Sequence, residues 1–260
     1  MRRTFAATAA CVLVLAGCGD TDNDHSGTFY GPSQNLGNGT VKTYVTLDAS
    51  GNPTEVGLRM SESALDGLPA TDPAPRQPLT LHLAFPDQAK ATLFDHVMVN
   101  WNAQGHEPPP LFGKPHFDFH FSMADMPARQ TINPANPNFA EQAAKAPAAQ
   151  YIPQDYVTVP DSAVPFMGVH WVDKTEQLVP GQYDFKQIMI NGSWDGRYTF
   201  LEPMITREWL LTKPALDTSI KQPQAFQKTG YFPSTYVVRF DSSAKDYVIG
   251  LGAMTKREAS

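Results

Sequence analysis

Residues 115–121 read Pro-His-Phe-Asp-Phe-His-Phe. In an extended strand, His116, Asp118 and His120 point to one face, and Phe117, Phe119 and Phe121 to the other. Three phenylalanines on one side demand burial. The opposite face then carries three groups able to ligate a metal or move a proton. An ordinary surface strand would carry Thr, Lys and Glu there. Strand geometry limits what this face can do. At about 3.3 Å per residue, the Cα atoms of His116 and His120 lie roughly 13 Å apart. An imidazole plus a metal–nitrogen bond reaches roughly 8 Å. Both rings meet one ion only by leaning over Asp118; an i, i+2 pair is easier, with the other histidine in support.

Further ligands must come from other segments. His170, in Gly168-Val169-His170-Trp171, is the first supplier. Glu202 is the next: it precedes Pro203 in an apolar stretch, where a carboxylate is costly unless paired or metal-bound. His106, beside Glu107 in a proline-stiffened loop, can return to the same mouth. The reading is one transition-metal pocket built on His116, His120 and His170, with Glu202, His106 or Asp118 completing it. Such a donor set suits Zn, Mn, Fe, Ni or Cu. If catalytic, the ion would polarise an oxygen or activate water or dioxygen, with Asp118 or Glu202 as base. The competing reading is a surface polar face or a structural hydrogen-bond network. His82 and His96 read as hydrogen-bonded core histidines, Asp95-His96 as an orienting pair, and His25 as uninvolved. No GxSxG elbow, Walker loop, GxGxxG or HExxH is present. Whether the protein is an enzyme stays open.

The N-terminus gives an address. Arg2 and Arg3 precede an apolar run too short to span a bilayer, and Leu15-Ala16-Gly17-Cys18 resembles the lipobox of bacterial lipoproteins. Residues 1–17 are therefore expected to be a signal peptide, and Cys18 the lipidated first residue of the mature chain. The protein would then sit on the extracytoplasmic side of the cell envelope, periplasmic in a two-membrane cell, held to a membrane by its lipid. The two cysteines of the 260 residues are Cys11 and Cys18. Cysteine nucleophiles, Cys-ligated zinc and iron–sulfur clusters are thereby excluded from the mature domain. The formal charge of −6 argues against nucleic acid as a partner. Homo-oligomerisation is left open.

With 42% hydrophobic residues, 23 Pro and 18 Gly, the chain is expected to build a real core from short elements. Residues 18–38, polar and rich in Gly, Asp and Asn, read as a flexible tether. Residues 39–260 read as one mainly β domain, a β-sandwich or barrel-like fold, with a few short helices and long Pro-rich loops. Period-2 runs predict strands at 40–47, 54–60, 79–85, 96–101, 116–123, 183–190, 197–206, 235–240 and 248–253. Residues 61–68 and 139–146 predict short helices, and 88–94 a helical turn. Asn191 to Gly196 (NGSWDG) reads as a hairpin turn. Residues 127–166 form a Pro/Ala/Asn-rich insertion, the kind of segment that serves as a lid or partner surface.

Several stretches together carry a resemblance. They are Asn100-Trp101-Asn102, Gly105-His106-Glu107-Pro108-Pro109, Pro115 to Phe121, Met167-Gly168-Val169-His170-Trp171 and Phe200 to Thr206. The set resembles a bacterial family of unknown function whose founding member is a sigma-E-controlled protein of Thermus, over roughly residues 75–252. The resemblance implies a β-rich fold and an extracytoplasmic, stress-linked setting; it brings no reaction and no catalytic residue. Two functions remain in contention: a lipid-anchored envelope protein with a His-rich metal site, and a non-enzymatic envelope binding or assembly module working through the 127–166 insertion.

Overall fold

The computed structural model describes residues 25–74 and 77–260. In chain order it contains β1 (Gly27–Tyr30), β2 (Gln34–Leu36), β3 (Gly39–Leu47), β4 (Pro53–Ser61), β5 (Leu79–Ala84) and β6 (His96–Asn102). Then follow α1 (Pro109–Phe112), β7 (His116–Ser122), α2 (Met126–Gln130), α3 (Phe139–Ala144), β8 (Tyr156–Val164), β9 (Gly168–Asp173), β10 (Gln187–Trp194) and β11 (Arg197–Thr206). The last part holds α4 (Arg207–Leu211), β12 (Ala215–Ser219), β13 (Gly230–Phe232), β14 (Thr235–Asp241), β15 (Asp246–Gly252) and β16 (Thr255–Arg257).

The strands form two open, seven-stranded antiparallel sheets and a small β13–β16 pair. The first sheet runs β1-β3-β4-β15-β14-β12, with β2 also on β3; the second runs β5-β6-β7-β11-β10-β9-β8. Alternation builds one core between them. Val56, Leu58 and Met60 of β4, and Tyr247, Ile249 and Leu251 of β15, face Val97, Val99 and Trp101 of β6 and Phe117, Phe119 and Phe121 of β7 in one buried cluster. The fold is thus mainly β and a sandwich of open sheets, not a closed barrel.

The two sheets differ on their other faces. The first sheet presents charge there, with Arg59 paired to Asp241 and Arg239 to Glu55. The second sheet is covered on both sides, and every residue of β6 and β7 is buried. A second, smaller cluster of Phe112, Phe185, Ile188, Ile190 and Met204 lies over its outer face. Phe112 comes from the loop after β6 and Phe185 from the segment before β10, so both connections fold back over the sheet.

Four expectations need correction. The tether reading is wrong at its end: β1 and β2 pair with β3, and Phe29 and Leu36 anchor them to the core. Asn191 to Trp194 belong to β10, and the turn is Asp195-Gly196, with φ of +47° and +76° as a type I′ hairpin requires. The strand expected at 183–190 starts at Gln187, because Phe185 packs into the outer cluster with Tyr183 against it. Within 127–166, Phe139 to Ala144 are helical, but β8 makes the insertion's end an edge strand of the second sheet. His170 lies in strand β9. Strands β12, β13 and β16 carry no alternation strong enough to have been anticipated.

Candidate functional site

Strand β7 delivers its alternation in full. Phe117, Phe119 and Phe121 are fully buried in the core, and His116, Asp118 and His120 line the covered outer face. Across the ladder, β6 places Asn102 opposite His116 and Asn100 opposite Asp118. On the other side β11 supplies Glu202 beside His120. His170 arrives from β9, opposite Gly192 of β10. His106 arrives from the loop after β6, which turns at Gly105 (φ +72°); a Cβ there would strike the Phe112 carbonyl, so glycine is required. The His106 amide donates to that same carbonyl at 3.1 Å.

All six candidate residues take part, but in two groups rather than one pocket. His106, His116 and Asp118 form the first, and His120, His170 and Glu202 the second; within each, the donor atoms lie within 4.8 Å of one another. The expected meeting of His116 with His120 and His170 around one ion does not occur. The strand runs extended, so its two histidines stay apart and each finds partners at its own level. Asp118 joins His116 as the i, i+2 pair.

In the first group, Nε2 of His116 stands 3.1 Å from Oδ1 of Asp118, and Nε2 of His106 stands 3.7 Å from Oδ2. Nδ1 of His106 donates to the Glu107 carbonyl at 2.8 Å, and Nδ1 of His116 to the Lys114 carbonyl at 2.6 Å. A carbonyl only accepts, so each Nδ1 carries the hydrogen, and in the neutral ring Nε2 turns a lone pair toward the carboxylate. Two acceptors face one another with a cation or proton needed between them. His116 Nε2 and Asp118 Oδ1 accordingly have no hydrogen-bond partner, although both are buried. Asn102 Nδ2 donates to Asp118 Oδ2 at 2.7 Å and fixes the carboxylate. Burial pushes the Asp118 carboxyl up, but His116 and His106 outweigh it and hold it well below the usual range. Burial likewise pulls His106 down, and Asp118 more than restores it, so that ring is raised.

In the second group, Glu202 turns Oε1 to His120 Nε2 at 3.3 Å and Oε2 to His170 Nε2 at 3.5 Å. His170 Nδ1 donates to the Ser162 carbonyl at 3.1 Å. Glu202 Oε2 and both ring nitrogens of His120 have no hydrogen-bond partner. Burial pushes the Glu202 carboxyl well up, helped by the Asp118 charge. Burial also drives His120 down to about 3 and lowers His170. The surroundings thus favour the charged form of the carboxylate in the first group and disfavour it in the second.

Phe200 caps the second group, its ring centroid 4.9 Å from His120 and 5.1 Å from His170. A Cβ on Gly192 would fall on that ring. Gly192→Ala is therefore expected to displace Phe200 and destabilise the fold by about 1–3 kcal/mol, read by denaturant unfolding; an unchanged midpoint would contradict the packing described.

The metal-free protein is also expected to lose stability in mild acid. His120, His170 and His96 all sit below the ordinary histidine value in the fold, through burial first. Above about pH 6.5 their contribution is complete; as the pH falls, the unfolded chain takes up protons that the fold refuses. Glu202 and His106, both shifted up, act in the opposite sense and offset part of the loss. The melting temperature should fall between pH 7 and 5, less steeply in His120→Gln. A flat or rising profile would contradict the burial of these neutral rings.

His82 and His96 belong to neither group; His96 is buried with Nδ1 2.8 Å from Asp95 Oδ1, as an orienting pair would be, whereas His82 is exposed on edge strand β5 and is not the core histidine expected. Asn102 is the supporting residue the sequence reading did not single out for the site. Its signal was present: Asn100 and Asn102 flank the inward Trp101 at the same period of two that marks β7.

Fold and site together define an antiparallel β-sandwich whose second sheet buries two His/carboxylate triads beneath its outer covering. A family model described as TTHB210-like, hypothetical protein TTHB210, matches residues 48–101. The match supports the resemblance to the Thermus family of unknown function; it spans β4, β5 and most of β6, and it ends before the histidine strand. No curated protein and no solved structure matches the chain.

Proposed function

We propose that this protein is a metalloprotein of the cell envelope, in which each triad holds its own transition-metal ion. The observation that carries this reading is the paired arrangement of Nε2 lone pairs around buried carboxylates, with Nδ1 of His106, His116 and His170 already committed to backbone carbonyls. Two imidazoles and one carboxylate make a donor set with positions left for a water or substrate oxygen. A bound ion would supply Lewis acidity or an activated water at such a position. Zn, Mn, Fe, Ni and Cu all suit the donors. His106, 37% exposed at its side chain, is where the first centre reaches solvent. Asp118 and His120 are two residues apart on one strand, so their Cα atoms are about 6.6 Å apart and the two centres are neighbours.

The proposal includes the address. Cys18 and the preceding signal lie outside the described residues, and among the described residues no helix is long and apolar enough to cross a membrane. Attachment would come from lipid on Cys18, with the sandwich on the extracytoplasmic side. In cells, Cys18→Ser should release the protein from the membrane fraction; full retention would remove the anchor from the account.

The metal reading is tested by loading the purified mature protein with each ion, followed by gel filtration and elemental analysis. Binding that is lost when His116 and His170 are both replaced by alanine supports it, and the same content in that variant ends it. A second reading keeps one observation of its own. Val157 and Val164 of edge strand β8, with Phe166 beyond it, are exposed apolar side chains within the 127–166 insertion. They favour a binding or assembly role for that edge. Val157→Lys with Phe166→Ser should then lower the oligomeric mass in solution; an unchanged mass counts against it.

A further inference from the structure

Beside the second triad lies a small cavity lined by His96, Met98, His120, Arg129, Thr199 and Phe200. Its volume is about 10 Å³, room for one water-sized atom. Four of its lining side chains carry buried nitrogen or oxygen atoms without a hydrogen-bond partner: His96 Nε2, His120 Nδ1, Arg129 Nε and Thr199 Oγ1. His96, His120 and Thr199 are each more than nine-tenths buried. Such a concentration of unmet polar atoms is rare in a folded interior and calls for a ligand.

The chemistry of the lining selects the ligand. No Asp or Glu lines the cavity. Arg129, on α2, has no carboxylate within ion-pair distance among the described residues. Its guanidinium reaches His82 Nδ1 at 3.3 Å, Met98 Sδ at 2.8 Å and Met126 Sδ at 3.7 Å, none of them an anion. The Thr199 hydroxyl, and Nδ1–H of the neutral His120 tautomer, would add donors to those of the guanidinium. The donors of Arg129, Thr199 and His120 outnumber the one lone pair that His96 Nε2 turns in, its Nδ1 being held by Asp95; such a lining, beside a guanidinium without an ion pair and sized for a single atom, fits a monovalent anion.

We propose that this cavity is an anion site, taking chloride or one carboxylate oxygen against Arg129, His120 and Thr199. The site rests on its own lining and not on the metal reading; His120 is the one residue it shares with the triads.

The test uses the mature protein stripped of metal, in methanesulfonate salts at constant ionic strength. Sodium chloride and sodium formate are titrated in separate arms, read by thermal shift and, for chloride, by ³⁵Cl line broadening. Saturable stabilisation by chloride, formate or both is expected, with affinity falling about tenfold or more in Arg129→Gln and less in Thr199→Val. Chloride alone assigns a halide site, and formate alone or both a site open to carboxylates; either result supports the proposal. No saturable response to either anion, which is the outcome if water alone fills the cavity, would overturn it. So would a response unchanged in both variants. Because no metal is present, a failure here leaves the triads untouched, and a failure of the triads leaves this site untouched.

Discussion

If the second triad holds metal as proposed, Glu202→Gln is expected to abolish that binding while leaving the metal-free fold at least as stable as before. The side chain is buried between two neutral rings, and its carboxyl is held well above the usual range by that burial and by Asp118. Ionised and without a cation, it is among the least comfortable groups in the molecule. Glutamine keeps the shape and removes the charge. The Glu202→Gln protein, free of metal, should melt at the same temperature or higher, by the equivalent of about 1 kcal/mol. Metal affinity at this centre should fall by about 100-fold or more, since losing even a supporting contact of a metal ligand costs 10–100-fold. Added metal at a hundred times the dissociation constant stabilises a native protein by about 2.7 kcal/mol, so the metal-dependent melting shift from this centre should vanish in the variant. A variant that melts lower without metal, yet keeps the full shift with it, would mean that Glu202 is a structural hydrogen-bonding group and not a ligand.

The largest loss of stability is expected from Phe119→Ala. Phe119 is fully buried, with Phe117 on one side of it and Phe121 on the other along the inner face of β7. It lies in the core shared by both sheets. Removing the ring forfeits its transfer energy and leaves a cavity that rigid sheets cannot close, for about 3–5 kcal/mol. The same change should also degrade the proposed metal binding, because β7 carries His116, Asp118 and His120 on its back. Denaturant unfolding of metal-free protein measures the first effect. A loss below about 1 kcal/mol would show that this strand is not the backing the account makes it.

The fold was legible where alternation was strong. Strands β3, β4, β6, β7 and β11 follow the period-2 runs within a residue or two at each end. Legibility failed where pairing, not patterning, makes the strand. The exposed β12 and the short β1 and β2 carry too few apolar residues for a period to show; ladder pairing holds them, with single anchors at Leu216, Phe29 and Leu36. Gln187 to Trp194 was misplaced because Tyr183 and Phe185 extend the apolar run but pack into the covering layer instead.

The candidate site was legible as a set of residues and not as a geometry. The one-sided His/Asp/His strand named its own members, and the oddly placed Glu202 and His170 followed. Their division into two triads depends on which strand lies beside which: Glu202 meets His120 because β11 pairs with β7, and His106 meets Asp118 because its loop folds back at Gly105. The spacing arithmetic already disfavoured one ion between His116 and His120, but a single chain gives no way to see that each had a separate partner set. Nor could the cavity beside His120 be read, since Arg129 reaches it from α2 in a different segment.

The most direct test of the two-centre claim is the metal stoichiometry of the mature protein and of two single-triad variants, His116→Ala and His170→Ala, by elemental analysis after loading and desalting. Two ions per chain in the parent and one in each variant is the predicted result. A single ion lost equally from either variant would restore one shared pocket, and a parent that holds none would leave the triads as hydrogen-bonded polar groups without a metal.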